Sequence, residues 1–325
     1  MRKTSIAIIL YFVFICISTD ETRADDLLSS AQIVFVTTTA ARDYLKREDP
    51  FLLGLSSFDR SARLKTRRTI NNMEFLGFVS EQACDWAAYE KEKISDIMYR
   101  INLAFSDYNL LFPEEIVFIK TTGLEEGNAA YCRGNNVIVL PINYVNLSAD
   151  RLYDTILHEL FHIYSRNNSG IQEKLYEIIS FKKCNELILP DEIFQWKITN
   201  PDSAVNNHFF SSGINGKNYE LMPILLASSD YDEQKGGVFF DYMGLYFIAI
   251  TDNGNNKVPL IENNRYCIFT LNQVPDCIRL VGRNTNYIIH PEEILADNFV
   301  FLINKTEDLP DMAILEKMRV LLRTP

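Results

Sequence analysis

Apolar residues recur at spacings of three and four between positions 148 and 166. Leu152, Ile156, Leu160 and Ile163 mark one buried helix face, and Leu157, Phe161 and Tyr164 extend it almost around the cylinder. Ser148 stands at the N-cap position and Asp150 puts negative charge in the first turn. Arg166-Asn167-Asn168-Ser169-Gly170 then offers a basic last turn, with asparagines and a glycine for a left-handed stop. A helix so apolar belongs in the middle of a core. A second helical pattern follows over residues 171–181. Upstream, residues 85–108 read as a helix and residues 33–38 and 115–121 as strands. Residues 129–132 and 137–140 flank the turn Arg133-Gly134-Asn135-Asn136, a hairpin signature ending at Pro141. Further on, residues 238–250 are apolar and β-rich, Pro291 opens a helix, and residues 310–322 close the chain as another. Neither repeats nor a low-complexity linker interrupt this order, which predicts an α+β fold.

The central helix carries His158-Glu159-Leu160-Phe161-His162, an H-E-x-x-H motif holding two of the chain's four histidines. Imidazoles four positions apart lie one turn apart on the same helix face, so both reach a single metal ion. Glu159 stands between them, placed to act on a water as general base. A catalytic zinc needs a third protein ligand, leaving a fourth position for water. Candidates are Glu173, Glu177, His208, His290, Glu292 and Glu293. Glu293 is favoured because Asp297 follows it by one helical turn, whereas the position four after Glu292 is Ala296. An acid one turn beyond a ligand carboxylate can accept the outer N–H of a ligand histidine and fix its tautomer.

The pairing of His158-Glu159-Leu160-Phe161-His162 with Glu293-Ile294-Leu295-Ala296-Asp297 resembles the gluzincin branch of zinc metallopeptidases, the thermolysin-like H-E-x-x-H and E-x-x-x-D pattern. The wording over residues 130–162 and 283–299 is similar to a group of exported bacterial zinc metallopeptidases. The resemblance implies a zincin-like fold, with a mixed sheet packed on the H-E-x-x-H helix and a second lobe carrying the third ligand. It also implies Zn²⁺ held by His158, His162 and Glu293, with Asp297 behind them, and a peptide or protein substrate cleaved with Glu159 as base. Tyr287 is the expected oxyanion donor, with His208 and His290 as alternatives. By the same resemblance, residues 129–140 form the cleft edge that pairs with an extended substrate, since strand addition gives sequence-tolerant affinity. One departure stands out: His162 and Glu293 lie 131 positions apart, far beyond the typical interval, so Glu292, Glu173 and Glu177 stay open as third ligands. The motif specifies water activation rather than the bond cut. A hydrolase of another amide, such as a peptidoglycan cross-link, and a zinc-binding protein without chemistry are the rival expectations.

The 325 residues suit one large domain, expected over 25–325, with a lobe of residues 25–170 and another of 171–325. Arg2 and Lys3 precede an apolar run over residues 6–17, and Thr22-Arg23-Ala24 offers small residues for cleavage after Ala24. Residues 1–24 therefore read as a signal peptide, and the mature protein is expected to be periplasmic or extracellular with no stable membrane anchor. Ile15 before Cys16 argues against a lipoprotein. The net charge of −11 disfavours nucleic-acid binding. The single basic cluster, residues 60–68, reads as a solvated helix or loop. Cys84, Cys132, Cys184, Cys267 and Cys277 give an odd count with no metal-knuckle spacing. Cys267 with Cys277 is the easiest bridge by distance.

Overall fold

The computed structural model describes residues 31–323, so the expected signal segment and Cys16 lie outside the described residues. The described residues open with β1 (Gln32–Phe35), α1 (Thr38–Leu45), α2 (Pro50–Gly54), α3 (Ser57–Arg63) and α4 (Asn72–Glu81). β2 (Ala83–Cys84), α5 (Ala88–Ala104), β3 (Glu115–Thr121), β4 (Tyr131–Arg133) and β5 (Val137–Pro141) follow, then α6 (Ile142–Val145), α7 (Ala149–Asn167) and α8 (Ser169–Ile178). Next come β6 (Lys182–Lys183), α9 (Asp191–Phe194), β7 (His208–Ile214), β8 (Lys217–Ala227), β9 (Met243–Asn253) and β10 (Asn256–Pro259). The short strands β11 (Ile261–Glu262), β12 (Arg265–Tyr266) and β13 (Ile268–Thr270) precede α10 (Cys277–Val281), α11 (Pro291–Ile303) and α12 (Met312–Arg323). The fold is mixed α+β.

The first sheet runs β1-β3-β5-β4, with β2 also pairing with β3. β1, β3 and β5 are parallel; the short β2 runs antiparallel to β3, and β4 runs antiparallel to β5 at the edge, as the arm of the β4–β5 hairpin. Alternation along β3 explains its position. Ile116 and Phe118 face the main core with α5 and α7, while Val117 and Ile119 face a second cluster with Leu45 of α1 and Phe75 of α4. A strand covered on both faces needs a continuous apolar run, which β3 has. The second sheet, β10-β9-β8-β7-β6 with β13 on β9, is antiparallel. Phe210, Leu221 and Phe247 turn one of its faces into the main core, and Met222, Ile224 and Ile248 line the other. The main core thus runs from Ala31 to Leu322, drawing on both sides of residue 170. Leu152, Ile156, Leu160 and Ile163 of α7 sit at its centre with no exposure. Each contributes about 1.5–3 kcal/mol by burial.

Several local expectations change. The expected 85–108 helix is α5 followed by a 3₁₀ turn over Phe105–Asp107. Ser148 does take the N-cap position of α7, but its side chain makes no capping bond. No left-handed residue ends α7. Asn168 joins α7 to α8 at φ −127°, and its side-chain amide donates to Tyr164 O at 2.8 Å, so side chains satisfy the free carbonyls. Gly170 lies inside α8, which stops at Ile178 because Ser180 turns left-handed. Residues 239–242 form a 3₁₀ turn before β9. Within the basic cluster Arg63 is not solvated: it is buried against Asp59 and Glu126 at 2.6 and 2.5 Å, and it donates to Thr199 O. The five cysteines among the described residues are free thiols, Cys267 and Cys277 included. No helix among the described residues is long and apolar enough to cross a membrane.

Candidate metal centre

From Ile156 to Ser165, α7 is buried on every side except at His158. Opposite it, α11 begins with His290 as N-cap, whose Nδ1 accepts the Glu292 N–H at 3.1 Å, and Pro291 follows at the first helical position. The opening turn of α11 is packed on α7, so Glu292 and Glu293 enter the interior rather than decorate a surface.

Glu293 Oε2 lies 3.1 Å from His158 Nε2 and 3.5 Å from His162 Nε2. On the outer sides of the rings, Asp297 Oδ1 meets His158 Nδ1 and Glu292 Oε1 meets His162 Nδ1, both at 3.1 Å. A carboxylate only accepts, so each ring donates from Nδ1 and turns Nε2 toward the same point. These carboxylates are themselves held. Glu292 Oε2 receives the Tyr176 hydroxyl at 2.5 Å and Ser165 Oγ at 2.8 Å; Asp297 Oδ2 receives Thr285 Oγ1 at 2.5 Å; Glu293 Oε1 receives Asn200 Nδ2 at 2.5 Å.

Charge at that point is strongly coupled between the rings and the carboxylates. Burial works against charge on His158, but hydrogen bonds to Asp297 and Glu293 prevail and push it up to about 10. His162 is raised as well, burial being outweighed by Asp202, Glu293 and Glu292. Burial alone would raise Glu293, yet His162 and His158 hold it well below the usual carboxylate range. His162 Nε2 is buried without a hydrogen-bond partner among the described residues. The donor atoms of His158, His162 and Glu293 all lie within 4.8 Å of one another and could hold a metal ion.

Glu159 is buried beside this cluster. Its Oε2 receives the Cys132 thiol at 3.2 Å, and Cys132, Glu159 and Asp202 form a second close group. Burial raises the Asp202 carboxyl, His162 opposes that shift, and Glu159 and Glu293 reinforce it. Tyr287 stands at the rim, 39% exposed. Its phenol is raised first by burial, then by Glu293, Asp202, Glu159 and Asp297 around it. The structure therefore gathers His158, Glu159, His162, Tyr287, Glu293 and Asp297 in one place.

The other candidates fall elsewhere. Glu173 pairs with Lys183 at 2.5 Å and Glu177 is exposed, because α8 turns Gln172, Leu175 and Tyr176 inward and its acids outward. His208 packs its ring on Tyr176 with centroids 4.5 Å apart, and burial pushes it down to about 3. His290 is the helix cap and is pushed down to about 4 by burial. Glu292 backs His162 rather than joining the donor cluster.

Sequence reasoning missed Asn200, Asp202 and Cys132. Asn200-Pro201-Asp202 carries the ordinary signature of a turn, and nothing in it announces contact with Glu293. Among known protein families, curated proteins and solved structures, nothing matches this chain.

Proposed function

We propose that this protein is a zinc-dependent peptidase of zincin-like fold, with His158, His162 and Glu293 as the metal ligands. The observation that carries the reading is the convergence of two Nε2 atoms and one carboxylate oxygen, each ring fixed from behind by an acid. Four donors around a tetrahedral zinc at about 2.05 Å stand about 3.3 Å apart, and the separations of 3.1 and 3.5 Å bracket that value. The unpartnered His162 Nε2 fits the same arrangement. Two imidazoles and one carboxylate form a donor set that suits catalytic zinc and leaves a position open. An antiparallel edge strand, β4, beside the motif helix supports the zincin-like architecture.

Zinc bound there would polarise an amide carbonyl and acidify a water. Glu159 accepts the proton of the attacking water and returns it to the leaving nitrogen. Asp297 and Glu292 keep the ligand rings in the Nδ1–H tautomer and raise their basicity. Tyr287, whose raised pKa keeps its proton at neutral pH, donates to the developing oxyanion. The apolar amino-terminal run supports export, and the substrate class is a peptide rather than a nucleic acid, given the net charge of −11.

The test is Glu159→Gln. It should keep about one zinc per chain while hydrolysis of a quenched peptide library falls at least ~10²-fold. Wild-type activity in that variant would remove Glu159 from the role of base.

A further inference from the structure

The donor cluster is nearly covered in this conformation, and of its side chains only His158 reaches solvent, at 17% exposure. His162, Glu293 and Glu159 are 0%, 2% and 3% exposed. The adjoining cavity, walled by Ala130, Asn200, Asp202, Phe240, Tyr287 and Ile289, has a volume of ≈ 30 Å³. That is room for about two waters and not for a substrate backbone with its side chains.

One segment of this wall also covers the edge strand. β4 is the edge of its sheet, and Cys132 opposite Ile138 directs its N–H away from β5. An outward N–H on an edge strand is the donor that an added strand would use. Here Asp202 Oδ1 accepts it at 2.8 Å. The same residue lies against Glu159, and Asn200, two positions earlier, donates to Glu293 Oε1 while its own Oδ1 accepts the Asp202 N–H. Residues 200–202 therefore touch the edge strand, the base and the ligand carboxylate together.

The segment is tethered at both ends. Before it, Thr199 donates its N–H to Asp59 and its carbonyl accepts from buried Arg63. Within and after it, Arg166 donates to Pro201 O, and Lys197 donates to Ala204 O. Residues 203–207 beyond are half-buried and carry no helix or strand after the 3₁₀ turn ends at Ser203.

We propose that residues 200–203 form an internal strap that occupies the substrate edge of β4 and holds the enzyme latent until it is displaced or cut. The strap acts as a substitute for substrate, its Asp202 carboxylate standing where an extended peptide would offer a carbonyl oxygen. This rests on the peptidase reading, and the experiment separates the two.

The full zinc-loaded chain is compared with Asp202→Ala and, should that variant fold poorly, with a chain carrying a specific protease site between Val205 and Asn206, cut after folding. Three readouts are taken together: zinc content, kcat/KM on a quenched peptide library, and amide hydrogen exchange over residues 131–133. The strap predicts about one zinc in every form, slow exchange at Cys132 in the intact chain, and faster exchange there on release. It also predicts a gain in kcat/KM of about tenfold, as expected for freeing one buried hydrogen bond to the edge. One zinc with faster exchange but unchanged or lower kcat/KM would overturn the strap and leave the peptidase reading standing. Absence of zinc and of hydrolysis in all forms would sink the peptidase reading, and the strap with it.

Discussion

Replacing Glu292 with glutamine separates a ligand's support from the ligand itself. The residue is 1% exposed and binds no metal in our account. Its Oε1 receives His162 Nδ1 at 3.1 Å, and its Oε2 receives Tyr176 and Ser165 at 2.5 and 2.8 Å. Glutamine keeps the volume and one acceptor but loses the charge, and its amide nitrogen must face a hydroxyl or the imidazole N–H. His162 then loses the partner that fixes its tautomer and enriches Nε2. Losing such support costs about 10–100-fold in metal affinity, which is roughly 1.4–2.8 kcal/mol. The assay is competition for zinc against a chelator of known affinity, with thermal melting of the metal-free protein run beside it. Glu177→Gln, on the exposed face of α8, is the control expected to bind as wild type. Unchanged affinity in Glu292→Gln would refute the claim that this carboxylate holds the ligand in place.

Other outcomes follow from the same geometry. In the metal-free protein His158 is raised to about 10 and His162 is also raised, so their contribution to stability is present in full below the ordinary imidazole pKa of about 6.5. It is lost as pH climbs through about 10, and melts of chelated protein between pH 6 and 10 should show that decline. For the same reason zinc binding near pH 7.5 should release protons, seen by calorimetry as a dependence of the binding enthalpy on the buffer's ionisation heat. Arg63→Ala leaves Asp59 and Glu126 buried without their cation and should destabilise the fold by about 3–5 kcal/mol in urea unfolding. Leu160→Ala, at the fully buried centre of α7, should cost about 2–5 kcal/mol by the same measurement.

Much of this architecture was legible wherever period and chemistry agree. β3 follows its apolar run residue for residue, and α7 follows its repeat of three and four. The choice of Glu293 over Glu292 rested on Asp297 one turn along, and the structure places Asp297 on His158. What sequence spacing missed is the function of Glu292, whose partners come from α7 and α8, more than a hundred positions away. The end of α7 escapes local reading for a related reason. Glycine and asparagine advertise a left-handed stop, but side-chain amides of Asn167 and Asn168 satisfy the last carbonyls and make it unnecessary. Arg63 shows the limit of reading charge locally, since Lys65, Arg67 and Arg68 in the same cluster are exposed while its own partners are buried. Asp202 carries no periodic signal at all; only the closed fold brings it to Cys132.

The central claim is that one metal ion sits between α7 and α11. Anomalous diffraction from crystals of the zinc-loaded protein, collected on either side of the zinc edge, tests it directly. The account predicts a single strong peak about 2.0–2.2 Å from His158 Nε2, His162 Nε2 and a carboxylate oxygen of Glu293. A peak elsewhere, or none at these three atoms at full zinc loading, would contradict it.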